Sequence, residues 1–326
     1  MSRATATAQA HPNIAFIKYW GNRDDRLRLP VNGSVSMNLG ALTTTTKVTF
    51  DGSLRQDSLT INGAAEAAVA RVSSVLDEVR RIARIGARAR VESVADFPLG
   101  VGVASSAAAF SALALAASTA AGLSLSEGEV SRLARLGSGS ACRSVPGGFC
   151  EWRMGTGDAD SIAVSIADAD RWDLVDLIAI LSTTHKKVGS SAGHPGAATS
   201  PYQAARIAGA PGRIEGCREA IRTRDFARLA AISEEDSTLM HCVMMTQRPP
   251  LFYWEPASLA IMKAVPEWRL EGLRVFFTLD AGPTVHVLCS GEDANEAERR
   301  LRAVPGVNDL LRSGVGGPAR IVAAKF

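Results

Sequence analysis

The stretch "DFPLGVGVASSAAAF" (96–110) constrains the fold more than any other part of this chain. Pro98 stops a strand, because its ring removes a donor and locks φ. Gly100 and Gly102 reach backbone angles that other residues avoid. Ser105 and Ser106 then open an alanine-rich helix, expected over 105–121. N–H groups at a helix start have no intrahelical partner and carry partial positive charge, so such a loop can hold an anion with backbone alone. The lysine of a GxxxxGK[ST] loop is missing. So is the G-x-S-x-G elbow that would make Ser105 a hydrolase nucleophile. Taken by itself, the stretch is equally an ordinary glycine turn with a serine cap ahead of a packing helix.

Around this unit, strands and helices mix without strict alternation. "TTTTKVTF" (43–50) reads as a β-branched strand, with "DSLTING" (57–63) as its partner ending in an Asn-Gly turn. Residues 65–85 have helical period, and "ARARVES" (87–93) alternates as a strand. A Ser-x-x-Glu capping box opens "SLSEGEVSRLARLG", which ends at Gly137. "GGFCEWR" (147–153) and "WDLVDLIAILS" (172–182) read as strands. Residues 202–247 are mostly helical with a break expected at Pro211; two strands (273–280 and 284–290) follow around the turn "AGP", then a helix over 292–303 and a last strand, "ARIVAAKF". This order favours an α+β fold over a doubly wound sheet. The 326 residues suggest two domains, and a composition shift places the expected boundary at 182, giving 1–182 and 183–326.

Composition narrows the function. Hydrophobic residues are 46% and charged residues 21%, as in globular proteins. The net charge is +3, and the arginines are interleaved with acidic residues rather than blocked with aromatics, which argues against nucleic-acid binding. No apolar run reaches the ~18 residues of a membrane span without charge. The opening "MSRATATAQAHP" lacks the apolar core of a signal peptide, so a cytoplasmic, non-membrane protein is expected. Five scattered cysteines form no CxxC, five histidines form no HExxH, and His185 and His194 match no common ligand spacing; no metal site built from side chains is expected.

The pattern Pro-x-x-x-Gly-x-Ala-Ser-Ser-Ala resembles the phosphate loop of the GHMP kinase superfamily, which wraps ATP phosphates mainly with backbone amides. "PNIAFIKYWGNRD" (12–24), "GSGSACRSVPGGFCEW" (137–152) and "TLDAGPTVHV" (278–287) look like three signatures of the mevalonate diphosphate decarboxylases, in the same order. "HKKVGSSAGH" (185–194) and "RPPLFYW" (248–254) also have counterparts there. The resemblance runs nearly end to end. It implies the GHMP two-domain fold, with a ribosomal S5-like N-terminal domain and a ferredoxin-like C-terminal domain, and a homodimer. It also implies a reaction: with ATP and Mg2+, the tertiary 3-hydroxyl of a 5-phosphorylated mevalonate is phosphorylated, phosphate departs, carbon dioxide is lost and an isopentenyl product remains.

The same resemblance assigns roles. Asp280 would sit against the 3-hydroxyl as base or orienting anion, with Lys18 beside it; without the resemblance Asp280 reads as a turn cap and Lys18 as an edge-strand lysine. Arg143, a planar fork suited to a carboxylate, would hold C1 of the substrate. It falls in what reads as the first turn of a helix, where a cation opposes the dipole unless an anion answers it. Asn13, Tyr19, Asn22, Ser138 and Ser140 would complete the substrate site, although the serines also suit plain N-capping. Trp20 and Cys142 read as core. Leu99, Gly100, Val101, Gly102, Ala104, Ser105 and Ser106, with Lys187, Ser190 and Ser191, would meet the nucleotide.

Two departures stand out. The family usually reads KYWGK; Asn22 replaces the last lysine, expected near the substrate's diphosphate. The loop residues Leu99, Gly100 and Val101 also differ from the usual sequence. Loss of a cation beside the terminal phosphate leans the reading towards mevalonate 5-phosphate, giving isopentenyl phosphate. The alternatives are a 5-diphosphate decarboxylase giving isopentenyl diphosphate, and a kinase that stops at the 3-phosphate. Lys18 and Asp280 are both present, which favours decarboxylation over the kinase.

Overall fold

The computed structural model describes residues 4–66, 69–98, 103, 105–181 and 189–325. Its strands are β1 (Ala4–Ala10), β2 (Asn13–Ile17), β3 (Asn22–Asp24), β4 (Leu29–Pro30), β5 (Ser34–Asn38), β6 (Thr44–Asp51), β7 (Ser58–Ile61) and β8 (Ala64–Ala65). They continue with β9 (Arg88–Ala95), β10 (Phe149–Trp152), β11 (Ala163–Ala167), β12 (Leu174–Ile180), β13 (Val275–Leu279), β14 (Val285–Ser290), β15 (Asp309–Gly314) and β16 (Arg320–Lys325). The helices are α1 (Ala70–Ala83), α2 (Ser105–Ala120), α3 (Glu127–Gly137), α4 (Ser190–Gly193), α5 (Gln203–Thr223), α6 (Phe226–Thr246), α7 (Pro256–Leu270) and α8 (Ala294–Arg302).

A six-stranded sheet in the order β16-β1-β6-β9-β7-β8 carries α2 on one face. In β1 the alternation "ATATAQA" turns Ala6, Ala8 and Ala10 inward. Against them lies α2, whose buried positions are largely alanines, so the helix approaches the sheet closely. α1 and α3 pack on α2; α3 starts with a capping box between Ser126 and Glu129, two residues later than the Ser124-x-x-Glu127 expected. A second sheet, β11-β10-β5-β2, and a third, β13-β14-β12-β15, share the core formed by Ile14, Phe16, Phe149, Ile178 and Phe276. The other face of the third sheet packs on α7 and α8 through Val175, Leu177, Val265, Val287 and Leu301. That double coverage explains why β12, β13 and β14 are buried along their whole length, with Asp176 of β12 and His286 of β14 paired inside at 2.7 Å. Among the described residues no helix is long and apolar enough to cross a membrane.

Three local expectations need correction. β7 does not pair with β6, which already has β1 on one side and β9 on the other; β7 runs parallel to β9, and its Asn-Gly turn leads to β8. Pro211 does not break a helix: α5 continues through it and ends at Arg224, a left-handed cap with φ 59°. One missing N–H is outweighed by anchoring on either side, where Arg213 donates from Nη2 to the Arg206 carbonyl (2.7 Å) and from Nε to the buried Asp236 (2.7 Å). Nor do the strands divide at residue 182. β12 already belongs to the third sheet, and β16 returns to pair with β1 in the first.

Candidate active site

The cleft lies where the end of β2, the start of α2, the short 3-10 helix Gly139–Ser144 and the end of β13 converge. Lys18 follows β2 directly and is 1% exposed, more deeply buried than its sequence suggested. Its Nζ donates to Asp280 Oδ1 at 2.7 Å, just past β13. The Asp280 side chain is 30% exposed, so this carboxylate opens to the cleft while its cation stays behind it. Burial alone would raise the Asp280 pKa; the Lys18 ammonium, helped by Arg143, outweighs it and holds the carboxyl below its usual range. Burial lowers the Lys18 pKa, and Asp280 pulls it part of the way back.

The Lys18 backbone is clamped by residues the sequence did not single out. Its N–H donates to Asp236 Oδ2 (2.6 Å), and its carbonyl accepts from Arg206 Nη2 (2.6 Å) and Asn32 Nδ2 (3.0 Å). Asp236 and Arg206 are almost fully buried on α6 and α5, so those helices fix the direction in which Lys18 leaves its strand.

Arg143 is 3% exposed, and its partners are all neutral. Nε donates to Ser36 Oγ (3.0 Å), Nη1 to Ser34 Oγ (2.7 Å) and Nη2 to Asn13 Oδ1 (3.0 Å). Asn13 is oriented in turn by donating from Nδ2 to Ser144 Oγ (2.7 Å) and the Ser140 carbonyl (3.1 Å). A guanidinium has five N–H groups; three are used among the described residues, which leaves a pair for an anion at the cleft. Among the described residues no carboxylate forms an ion pair with Arg143, and burial lowers its pKa. Arg143 stands near the end of the 3-10 helix rather than in a first turn, so the helix-dipole argument lapses; the unanswered buried charge replaces it.

The six serines singled out from the sequence line one cleft. Ser106, at the head of α2, lies 3.2 Å (Oγ to Oγ) from Ser138, which ties α2 to the segment that leads into the 3-10 helix. Ser105, Ser140, Ser190 and Ser191 line the same cleft. Tyr19 packs on Trp152 and His194, and a side chain on Gly139 would run into the Tyr19 ring. Trp20 is buried, bonded through Nε1 to Gln247, and its edge reaches the cleft. Cys142 is inert core: burial pushes its thiol up to about 12. Leu99, Gly100, Val101, Gly102, Ala104 and Lys187, expected at the nucleotide, lie outside the described residues.

Asn22 does not line the cleft. Its Oδ1 accepts from the Tyr19 hydroxyl and its Nδ2 donates to Asp25 (2.8 Å). The cleft instead contains Arg28, Arg71 and His194, none of which sequence reasoning placed there. Nδ1 of His194 accepts from the Gly21 N–H (2.9 Å); burial, then Arg28 and Arg206, lower its pKa to about 3, so the ring stays neutral. A second, more apolar cavity adjoins the first through Arg71, Ser105 and Ser106, and is lined by Leu59, Val91 and Phe110 with Thr44, Thr46 and Ser93.

Such a site, on a small-residue helix packed against a mixed sheet, has the architecture of the GHMP kinase superfamily. Residues 10–163 match the diphosphomevalonate decarboxylase-like N-terminal domain, and residues 176–314 match the mevalonate 5-diphosphate decarboxylase C-terminal domain. The diphosphomevalonate decarboxylase of Danio rerio is 38% identical over 85% of this chain and 74% of its own length. The phosphomevalonate decarboxylase of Haloferax volcanii is 33% identical over 97% of each. The solved mevalonate diphosphate decarboxylase of Enterococcus faecalis, described for mevalonate-diphosphate-mediated ATP binding, superposes with a TM-score of 0.90 at 34% identity, covering 98% of this chain and 99% of that one. A solved "MDDEF in complex with MVAPP, AMPPCP and Magnesium" superposes at 0.91 with 36% identity and the same coverage. The chain belongs to the diphosphomevalonate decarboxylase family.

Proposed function

We propose that this protein decarboxylates mevalonate 5-diphosphate at the expense of ATP, releasing isopentenyl diphosphate, ADP, phosphate and carbon dioxide. The observation that carries the reading is the cleft-facing Asp280, backed by Lys18, within one cavity that also contains Arg143. Asp280 would accept the proton of the 3-hydroxyl as it attacks the γ-phosphorus, because Lys18 keeps the carboxylate ionised and aimed. Phosphate is a far better leaving group than hydroxide; as it departs from the tertiary carbon it would take the proton back from Asp280, and the restored carboxylate would stabilise the positive charge that develops there. The two free N–H groups of Arg143 would hold the C1 carboxylate in line until the C1–C2 bond breaks and its electrons form the double bond.

The residues fit the nucleotide. The apolar cavity suits a base and sugar, and its junction at Ser105 and Ser106 leads the phosphates towards Asp280. Magnesium would be held mainly by those phosphates, as Mg2+ commonly is, with a serine hydroxyl at hand; among the described residues no group of three or more His, Cys, Asp or Glu could hold a metal. Its chemistry there is charge neutralisation of the transferring phosphoryl group.

The diphosphate is preferred here to the monophosphate towards which Asn22 leaned. Relatives at 36–38% identity are named for the diphosphate, and the cleft carries Arg28 and Arg71 although Asn22 has left it. The Haloferax volcanii relative, named for phosphomevalonate, keeps the 5-phosphate as the second reading. Measuring kcat/KM on both substrates with ATP and Mg2+ separates them: we expect at least about a tenfold preference for the diphosphate, as one charge-assisted hydrogen bond supports. A preference for the 5-phosphate would contradict this.

A further inference from the structure

Arg28 and Arg71 face the same cleft, and among the described residues neither has a carboxylate partner. Arg28 closes the turn of the hairpin formed by β3 and β4, so it stands on the returning arm whose outgoing arm begins at Asn22. Its φ is 52°, a left-handed value uncommon for a residue with a side chain. The acidic residues of the hairpin are engaged elsewhere: Asp24 Oδ1 accepts from the Leu27 N–H (2.8 Å) and Asp25 Oδ1 from Asn22 (2.8 Å). Arg28 Nε donates to the Leu136 carbonyl (3.0 Å), which among the described residues leaves four of its five N–H groups uncommitted. Arg71 is anchored one residue further on, with Nε and Nη2 donating to the Gly137 carbonyl (3.0 and 2.7 Å). Two half-buried guanidiniums anchored on adjacent carbonyls without a counter-ion are unfavourable. Burial, and then the Arg28 charge, lower Arg71 to about 10. An anion between them would relieve that cost.

The cavities divide the pair. Arg71 lines both the cleft and the apolar cavity, whereas Arg28 lines the cleft alone, close enough to Tyr19 and His194 for its charge to act on both. We propose that Arg28 binds the terminal phosphate of the substrate's diphosphate, supplying from one arm of the hairpin the positive charge that Asn22 does not supply from the other. Arg28 is thus a specificity-determining residue for two phosphates over one. The inference rests on the diphosphate reading above, but it is tested separately.

The test uses the whole chain with ATP, Mg2+ and either mevalonate 5-diphosphate or 5-phosphate. Arg28→Gln should lower the ratio of kcat/KM values, diphosphate over monophosphate, by about tenfold or more, mainly through KM for the diphosphate. KM for ATP should move less. In a double-mutant cycle, Asn22→Lys should raise the ratio several-fold more in Arg28→Gln than in the wild type, because the two cations serve one phosphate. An unchanged ratio in Arg28→Gln, or a loss confined to KM for ATP, overturns the assignment. Should Arg28→Gln melt early, Arg28→Lys is read instead: charge without the planar fork should lower the ratio about threefold, and an unchanged ratio again overturns the assignment. The wild-type ratio by itself judges the diphosphate reading, so the two failures are distinguishable.

Discussion

Lys18 Nζ lies 2.7 Å from Asp280 Oδ1, although 262 residues separate them in the chain. The contact joins the second sheet to the third and places a buried cation behind an accessible carboxylate. That pairing gives the carboxylate its charge and its direction together.

Asp280→Asn preserves size but removes the charge, and turnover should fall by about 100-fold or more. The same change leaves the Lys18 ammonium buried beside a neutral amide, which costs on the order of 3–5 kcal/mol of stability. Adding Lys18→Met should recover much of that stability without recovering activity. Near-normal turnover in folded Asp280→Asn would reduce Asp280 to a turn cap.

Arg143→Lys keeps a charge but cannot reach Ser34, Ser36 and Asn13 while presenting a fork to a carboxylate. KM for the mevalonate substrate should rise and kcat should fall, while KM for ATP stays close to the wild-type value. Steady-state kinetics with each substrate varied in turn would show this; a rise confined to KM for ATP would move Arg143 to the nucleotide site.

Stability should decline as pH falls from neutral. Burial lowers His194 from 6.5 to about 3 and His241 to about 4, so the unfolded chain takes up protons below pH 6.5 that the folded chain refuses. A depressed histidine pKa makes its contribution complete above the unfolded value and progressively lost beneath it; at pH 5 the loss is ~2 kcal/mol for each histidine. Asp280, also depressed, contributes to acid sensitivity only below its ordinary pKa of 3.8, outside this window. Urea unfolding at pH 7.5 and pH 5 should therefore differ by several kcal/mol, with a smaller difference in His241→Gln. Equal stability at the two pH values would contradict the neutral, buried state of these rings.

Much of the site was legible because its residues sit in contiguous strings. Lys18, Asp280, Arg143, Ser138 and Ser140 each fall within a motif whose local order survives folding. Asp236, Arg206 and His194 were not, since their partners are 218, 188 and 173 residues away and nothing local marks them. Arg28 carried one usable signal, a positive charge six residues after the lysine that Asn22 displaced, but only the β3–β4 hairpin makes that spacing meaningful. The fold was legible in class and in the elements with strong local signals, such as α2, α3, β12 and β13; β1, β5, β11, β15 and α7 were not expected from the sequence. It was less so at Pro211, where tertiary anchoring overrode a local breaker, and at the last strand, which the chain returns to β1.

The most direct measurement is the stoichiometry of a single reaction. With mevalonate 5-diphosphate, ATP and Mg2+, the proposed roles of Asp280 and Lys18 predict carbon dioxide, ADP and free phosphate in equal amounts. ADP formed without carbon dioxide, with the γ-phosphate retained on the substrate, would contradict this account and make the protein a kinase.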